Sequence, residues 1–502
     1  MSDSSASAAN DRRRWLILAV IGIAQLMVVL DTTVMNIALP SAQHALHFST
    51  ADRQWVVTAY TLSFGSLLLL GGRLADLVGR KYTFLAGLLG FAGVSAVGGA
   101  SVSFPMLVTA RACQGVFGAM LVPSALALLT TTFSDPKERG RAFGIYGAIA
   151  AGGGAVGLLL GGALTEYLSW RWALYINLVF AGAAFIGGLL LLDRQSSITK
   201  SRLDVPGVLT VSGGLFCIVY GFSNAATHNW HTPSTYGFLA VGVVLLVLFA
   251  SWQFRAAFPL LPPRIALDRN RGGAYLSILI ASSGMFAMFL FLTYFLQQTL
   301  NYTPVVTGVA FLPFTLGIAA AANVSNIVLM PRIGPKPIAP AGMVIATGAM
   351  IWFSQIGTHT AYGSGVVGPL VLFGIGMGMV IAPCINAGTF GVAPRDAGVA
   401  SATVTVGQQL GASIGTSLLN TIFASAVASY LVASHTRPTA LLTGLAITHG
   451  YDTAFSWIAG IFAVGAVASV LLFRAGPLRR PTADDPAVEP AGSSAGSSVH
   501  NI

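Results

Sequence analysis

Apolar residues in this chain run on in blocks of about 20, long enough at 1.5 Å per residue to cross the roughly 30 Å hydrocarbon layer of a bilayer as helices. Windows of about 19 residues place fourteen blocks, near 15–39, 54–73, 82–101, 105–132, 141–165, 171–192, 205–223, 235–254, 272–298, 304–329, 338–357, 366–391, 398–430 and 451–474. The ten-residue alternations of a transmembrane barrel do not occur. Residues 1–11 and the Pro/Ala/Ser/Gly-rich stretch 481–502 lack apolar periodicity and read as disordered cytoplasmic tails. Basic residues before the first block mimic a secretory signal. That block, however, continues past Asp31 to Leu39 without a small-residue cleavage site, which predicts an uncleaved first helix.

Composition agrees with the pattern. A chain of 502 residues that is 55% hydrophobic and 8% charged, with mean hydropathy +0.76, is too apolar for a soluble domain of this size and belongs in a bilayer. The net charge of +10 is spread as small groups between apolar blocks, not gathered on one face, so it speaks for membrane topology and against nucleic-acid binding. With the amino terminus inside, all but four of the 26 basic residues fall on the inner side; Arg53, Arg171 and Arg437 fall outside and Arg111 within the membrane. This asymmetry predicts cytoplasmic termini and an even helix count. Cys113, Cys217 and Cys384 lie inside apolar blocks and read as structural thiols. His44, His47, His228, His231, His359, His435 and His449 are expected in outer loops and His500 in the tail, without the spacing of a metal cage.

The chain also repeats itself weakly. The loop 135–140 after block four echoes 393–398 after block twelve, and Gly79-Arg80-Lys81 after block two echoes Gly334-Pro335-Lys336 after block ten. Duplicated bundles with a substrate site between the halves are a common transporter plan. The expected division is therefore a cytoplasmic tail 1–14, a six-helix bundle 15–193, two inserted helices and a central cytoplasmic loop 194–271, a second six-helix bundle 272–474, and a disordered tail 475–502.

Two charges carry the candidate chemistry. Asp31 lies about 24 Å along the first apolar block, where a charge costs at least ~2.5 kcal/mol and commonly marks a proton or ion path. Arg111 lies at a depth within about 4–5 Å of it, close enough for the two to meet or share water. A nearby cation favours the ionised carboxylate and desolvation disfavours it, so a site where that balance changes can load and release a proton. Arg111 equally suits a packing tie to backbone carbonyls. The stretch 72–81, with Gly72, Asp76, Gly79, Arg80 and Lys81, lies at the inner end of block two, crosses a very short turn and suits a state-dependent latch. Gly153, Gly157, Gly161 and Gly162 place small residues at helical spacing, which permits close helix approach.

Taken together, these stretches resemble the 14-helix drug:proton antiporters of the major facilitator superfamily. Residues 30–40 look like that family's first-helix signature, 72–81 its loop motif, and Arg111 with Gln114 and Gly115 its fourth-helix motif. Trp170-Arg171-Trp172, the run 292–298 leading to Gly308 and Pro313, residues 398–401, and Gln408-Gln409-Leu410-Gly411 are similar too. Leu158 and Val179 stand where the family usually has proline, and no acid appears well inside the later blocks, which leaves Asp31 for coupling. The resemblance implies an all-α major facilitator fold and proton-coupled export of amphipathic, aromatic or cationic drugs by alternating access. It also implies no cofactor beyond a proton gradient and a monomer in the bacterial cell membrane with both termini cytoplasmic. A dedicated exporter of one self-made antibiotic, lipid or siderophore is the rival within the family. No phosphate loop, acid pair or nucleophile with a base points to an enzyme. Trp55, Tyr60, Phe286, Tyr294, Phe295, Gln297 and Gln298 are the expected substrate contacts, with bundle core the alternative for each.

Overall fold

In a bilayer every backbone N–H and C=O must be satisfied within the protein, and a chain of long apolar runs meets that demand with helices. The computed structural model describes residues 2–50, 52–133, 135–193, 204–227, 230, 232–257, 259–358, 360–392, 397–434 and 439–476. The side chains of 2–11, of Asp76 and of parts of 136–151 lie outside that set. So do the expected inner cations Arg194, Lys200, Arg202, Arg395, Arg479 and Arg480, the outer residues Arg437, His228, His231, His359 and His435, His500, and the 393–396 half of the loop echo.

Among the described residues the structure is all-helical. The first six long helices are α1 (Ser2–Leu46), α2 (Gln54–Val78), α3 (Arg80–Gly99), α4 (Phe104–Thr132), α5 (Pro136–Tyr167) and α6 (Trp172–Leu191). An inserted pair follows, α7 (Val205–Thr227) and α8 (Pro233–Gln253). The last six are α9 (Arg269–Thr299), α10 (Pro304–Ile333), α11 (Pro335–Phe353), α12 (Tyr362–Thr389), α13 (Ala397–Ala433) and α14 (Ala440–Leu472). Thirteen of these are long and apolar enough to span a membrane; α2, with 25 residues, is the other long helix.

Each set of six packs on itself, and α7 and α8 pack together with α7 lying along α2 and α13. A small apolar cluster joins Leu62 of α2 and Leu410 of α13 to Val211, Leu215 and Val219, so the inserted pair covers a seam between the halves. The short internal repeat is visible in the backbone. Gly79 and Gly334 both take positive φ, 102° and 75°, at tight turns between consecutive helices in the two halves.

Four helices depart in extent or shape from the expected runs. Helix α1 starts at Ser2 rather than after an unstructured stretch 1–11, and it continues through Pro40 to Leu46, which puts His44 on a helix. Helix α14 begins at Ala440, so His449 and Asp452 lie inside it instead of at its mouth, and this half-buried Asp452 is an acid within the later helices. Helix α9 ends in a π-helical turn, Phe295–Thr299. Helix α10 is broken into Pro304–Ala310, Leu312–Val324, a π-turn Ser325–Leu329 and Met330–Ile333. Pro313 and Pro331 lack the N–H the ladder requires, which accounts for the breaks beside them.

Candidate functional site

The two intramembrane charges meet. Arg111 Nη1 of α4 donates to Asp31 Oδ2 of α1 at 2.6 Å, and both side chains are fully buried. Gln114 and Asn177 donate to Asp31 Oδ1 at 3.1 and 2.7 Å, and Gln114 also donates to Ser95 at 2.7 Å. Arg111 in turn donates through Nε to the Val56 carbonyl at 3.0 Å, and its guanidinium lies 4.4 Å over the Tyr60 ring. Arg111 thus combines both roles open to it from sequence, partner to a carboxylate and tie to a backbone carbonyl. A buried ion pair is tolerable only when its remaining hydrogen-bonding capacity is met. Here helices α1, α2, α3, α4 and α6 each supply a partner, so the first half is organised around one carboxylate.

A cavity of about 360 Å³ lies between the halves. Gln25, Val29, Thr32, Thr33 and Asn36 of α1 face it, while Asp31 points to the opposite side of the same helix. Across from α1 the wall is Ser282, Met285, Phe286 and Phe289 of α9 with Thr405, Gln408 and Gln409 of α13. Val28, Phe64, Val122, Leu126, Tyr146 and Leu158 complete it. No lining residue carries a formal charge at neutral pH, among those described. The wall offers aromatic faces and amide or hydroxyl groups, the surface a mixed apolar and polar molecule needs.

At the face away from the termini the halves are bonded together. Arg53 Nε donates to Asn420 Oδ1 at 2.9 Å, and Thr58 pairs with Thr416 at 3.0 Å. Gln297 donates to the Ile37 carbonyl at 3.0 Å, Tyr294 donates to Gln43, and the Val305 N–H donates to Glu166 at 2.9 Å. Gly162 of α5 lies against the Pro304 carbonyl so closely that a Cβ would sit 2.6 Å from it. At the terminal face, cations instead close each half upon itself. Arg13 and Lys81 reach carbonyls at the end of α6, and Arg269 reaches those of Leu471 and Leu472, the arrangement a helix C-terminus favours.

Of the seven expected substrate contacts, Phe286 lines the cavity. Trp55 packs beside Tyr220 with ring centroids 6.1 Å apart, Tyr60 lies under Arg111, and Phe295 is core. Tyr294 and Gln297 join the halves, and Gln298 is exposed on the π-turn. Gln297 and Gln298 stand on the π-turn, beyond the cavity-lining Phe289 along the same helix. Gly153, Gly157 and Gly161 pack against α1, where a Cβ on Gly161 would lie 2.8 Å from Val34 Cα. Gly72 lies beside Pro123, and the Asp76 side chain is outside the described residues. Ser95 and Asn177 are the site residues that no sequence motif marks. Their signal was a polar residue inside an apolar run. Arg53 stands in the outer turn before α2, where the sequence puts it, but its side chain is buried against rings of the second half.

Residues 21–416 match the family model described as Major Facilitator Superfamily. The chain is 46% identical over 472 residues to a puromycin resistance protein of Streptomyces alboniger, covering 94% of this chain and 93% of that one. It is 37% identical over 409 residues to a cephamycin export protein of Amycolatopsis lactamdurans, covering 80% and 83%. An auto-inhibited peptide transporter of the POT family superposes with a TM-score of 0.66 at 18% identity, covering 94% and 99%, which is a likeness of fold.

Proposed function

The chain belongs to the Major Facilitator Superfamily, and from that premise we propose that it exports amphipathic antibiotics by alternating access in exchange for protons. The observation that carries this reading is the position of Asp31, fully buried against Arg111 on one side of α1 while the other side of that helix lines an uncharged cavity. Proton and drug then occupy different faces of one element and need not compete for the same atoms. Protonating Asp31 removes its charge, leaves Arg111 without a counter-ion, and turns an acceptor of two amide donors into a group that donates as well. The network must rearrange, and α1 moves with it. The far end of α1 touches the second half through Gln43 and Ile37, so the rearrangement reaches the closed face. Glycines 153, 157 and 161 let α1 and α5 slide as closely packed surfaces.

With the termini cytoplasmic, the closed face is the outer one and the cavity loads from inside. Asp31→Asn is expected to abolish pH-gradient-driven efflux in inverted vesicles while the protein still inserts; full transport by this variant would reject the proton role. A narrower reading, export of one self-made compound, is favoured by relatives named for single antibiotics: puromycin, cephamycin and tetracenomycin C. The same vesicles offered unrelated drugs, with and without a protonophore, separate a narrow exporter from a broad one.

A further inference from the structure

Arg53 is a cation buried in the second half without a carboxylate partner among the described residues. It stands just before α2, and the side chain is 2% exposed. Its guanidinium lies 4.2 Å from the centroid of Tyr294, 4.8 Å from that of Phe423 and 5.7 Å from that of Phe291. These rings form a group of their own, with Phe291 stacked on Phe423 at 5.4 Å and Tyr451 closing on Phe423 at 5.1 Å. Three aromatic faces around one cation are the recognition unit for ammonium groups, because each ring presents its negative face to the charge. Cage and cation come from different halves of the molecule. Four hydrogen-bonding pairs around them, Arg53–Asn420, Thr58–Thr416, Tyr294–Gln43 and Gln297–Ile37, close the same face. Parting the halves there must pull Arg53 out of the rings.

We propose that the cage of Phe291, Tyr294 and Phe423 is a binding site for an organic ammonium ion, filled by Arg53 while this face is closed and vacated when it opens. Arg53 is then both latch and stand-in: it holds the gate shut by occupying the place that a cationic ligand takes on the open side. The inference rests on the alternating-access reading for when the cage empties, but not on proton coupling.

The test uses the full chain, purified and held in lipid nanodiscs with no gradient applied. The probe is benzyltrimethylammonium, compared with its uncharged isostere neopentylbenzene. Arg53→Gln is expected to bind the cation about ten-fold tighter than wild type and the isostere no better. Adding Phe423→Leu to that variant should remove the gain, which distinguishes the cage from the central cavity. Asn420→Ala, which keeps Arg53 but takes away its anchoring hydrogen bond, should show a smaller gain in the same direction and stands in if Arg53→Gln does not fold. Equal binding by wild type and both variants, or equal gains for cation and isostere, would overturn the proposal. Neither result bears on Asp31, whose role is read from gradient-driven efflux alone.

Discussion

Arg111 shows how little of a buried ionic site is interchangeable. Its guanidinium serves a carboxylate, an amide oxygen, a carbonyl and an aromatic face at once, and a lysine ammonium has neither the planar fork nor the reach in several directions to do so. Arg111→Ala strands Asp31 in the bundle, a loss of roughly 3–5 kcal/mol when one partner of a buried pair is removed. Arg111→Lys keeps the charge but not the ties to Val56 and Gln114. Export by the lysine variant is therefore expected to fall far below wild type while its thermal unfolding stays closer to normal. The alanine variant should lose both. Measuring efflux and melting temperature on the same preparations checks this, and wild-type export by Arg111→Lys would reduce the network to a point charge. Both charges were legible in the sequence because the bilayer makes an intramembrane charge costly and hence rare. Arg53 was not legible in that way. It precedes the apolar run by one residue and reads as an ordinary loop cation; only the second half, folded against it, supplies the rings that bury it.

At the scale of the helix, the length and number of apolar runs gave the order of elements, whereas the ends and breaks needed local detail. Pro40 reads as a stop in the sequence, yet α1 passes through it. The seven-residue aromatic and amide run 292–298 winds through about two turns and divides between α-helix and π-turn, and it lies beyond the stretch Ser282–Phe289 that lines the cavity. The glycines of α5 read correctly as close-packing residues, and their surroundings distinguish positions that look alike. A Cβ at Gly161 meets the backbone of Val34 at 2.8 Å, whereas at Gly154 nothing lies within 4 Å. Gly161→Ala should therefore force α1 and α5 apart and cost about 1–3 kcal/mol, while Gly154→Ala should be neutral or slightly stabilising through its better helix propensity. Melting temperatures of the two purified variants decide the matter, and equal values would mean that the α1–α5 contact is loose enough to absorb a methyl group.

For the whole molecule, the contacts that join the halves link residues some 140 to 370 positions apart, and no local pattern announces them. The duplicated glycine turns hint at two halves, but which face is closed follows from side chains brought together across the seam. Thr58 and Thr416 lie at the centre of that closure, with their hydroxyls 3.0 Å apart and fully buried. Replacing both by cysteine in a chain whose Cys113, Cys217 and Cys384 have been changed to alanine puts two sulfurs where a shift of about 1 Å would bring them to bonding distance. Oxidation should lock the halves together on this face, stopping export while leaving the protein folded, and a reductant should restore it. The cross-link should form most readily without a gradient and become slower when an imposed pH gradient and substrate drive the cycle, since turnover holds the face open for part of each round. If the oxidised protein exported at the wild-type rate, the two halves would not part at Thr58 and Thr416. The closure around Arg53 would then be a permanent joint, and drug would have to leave by a route other than the face opposite the termini.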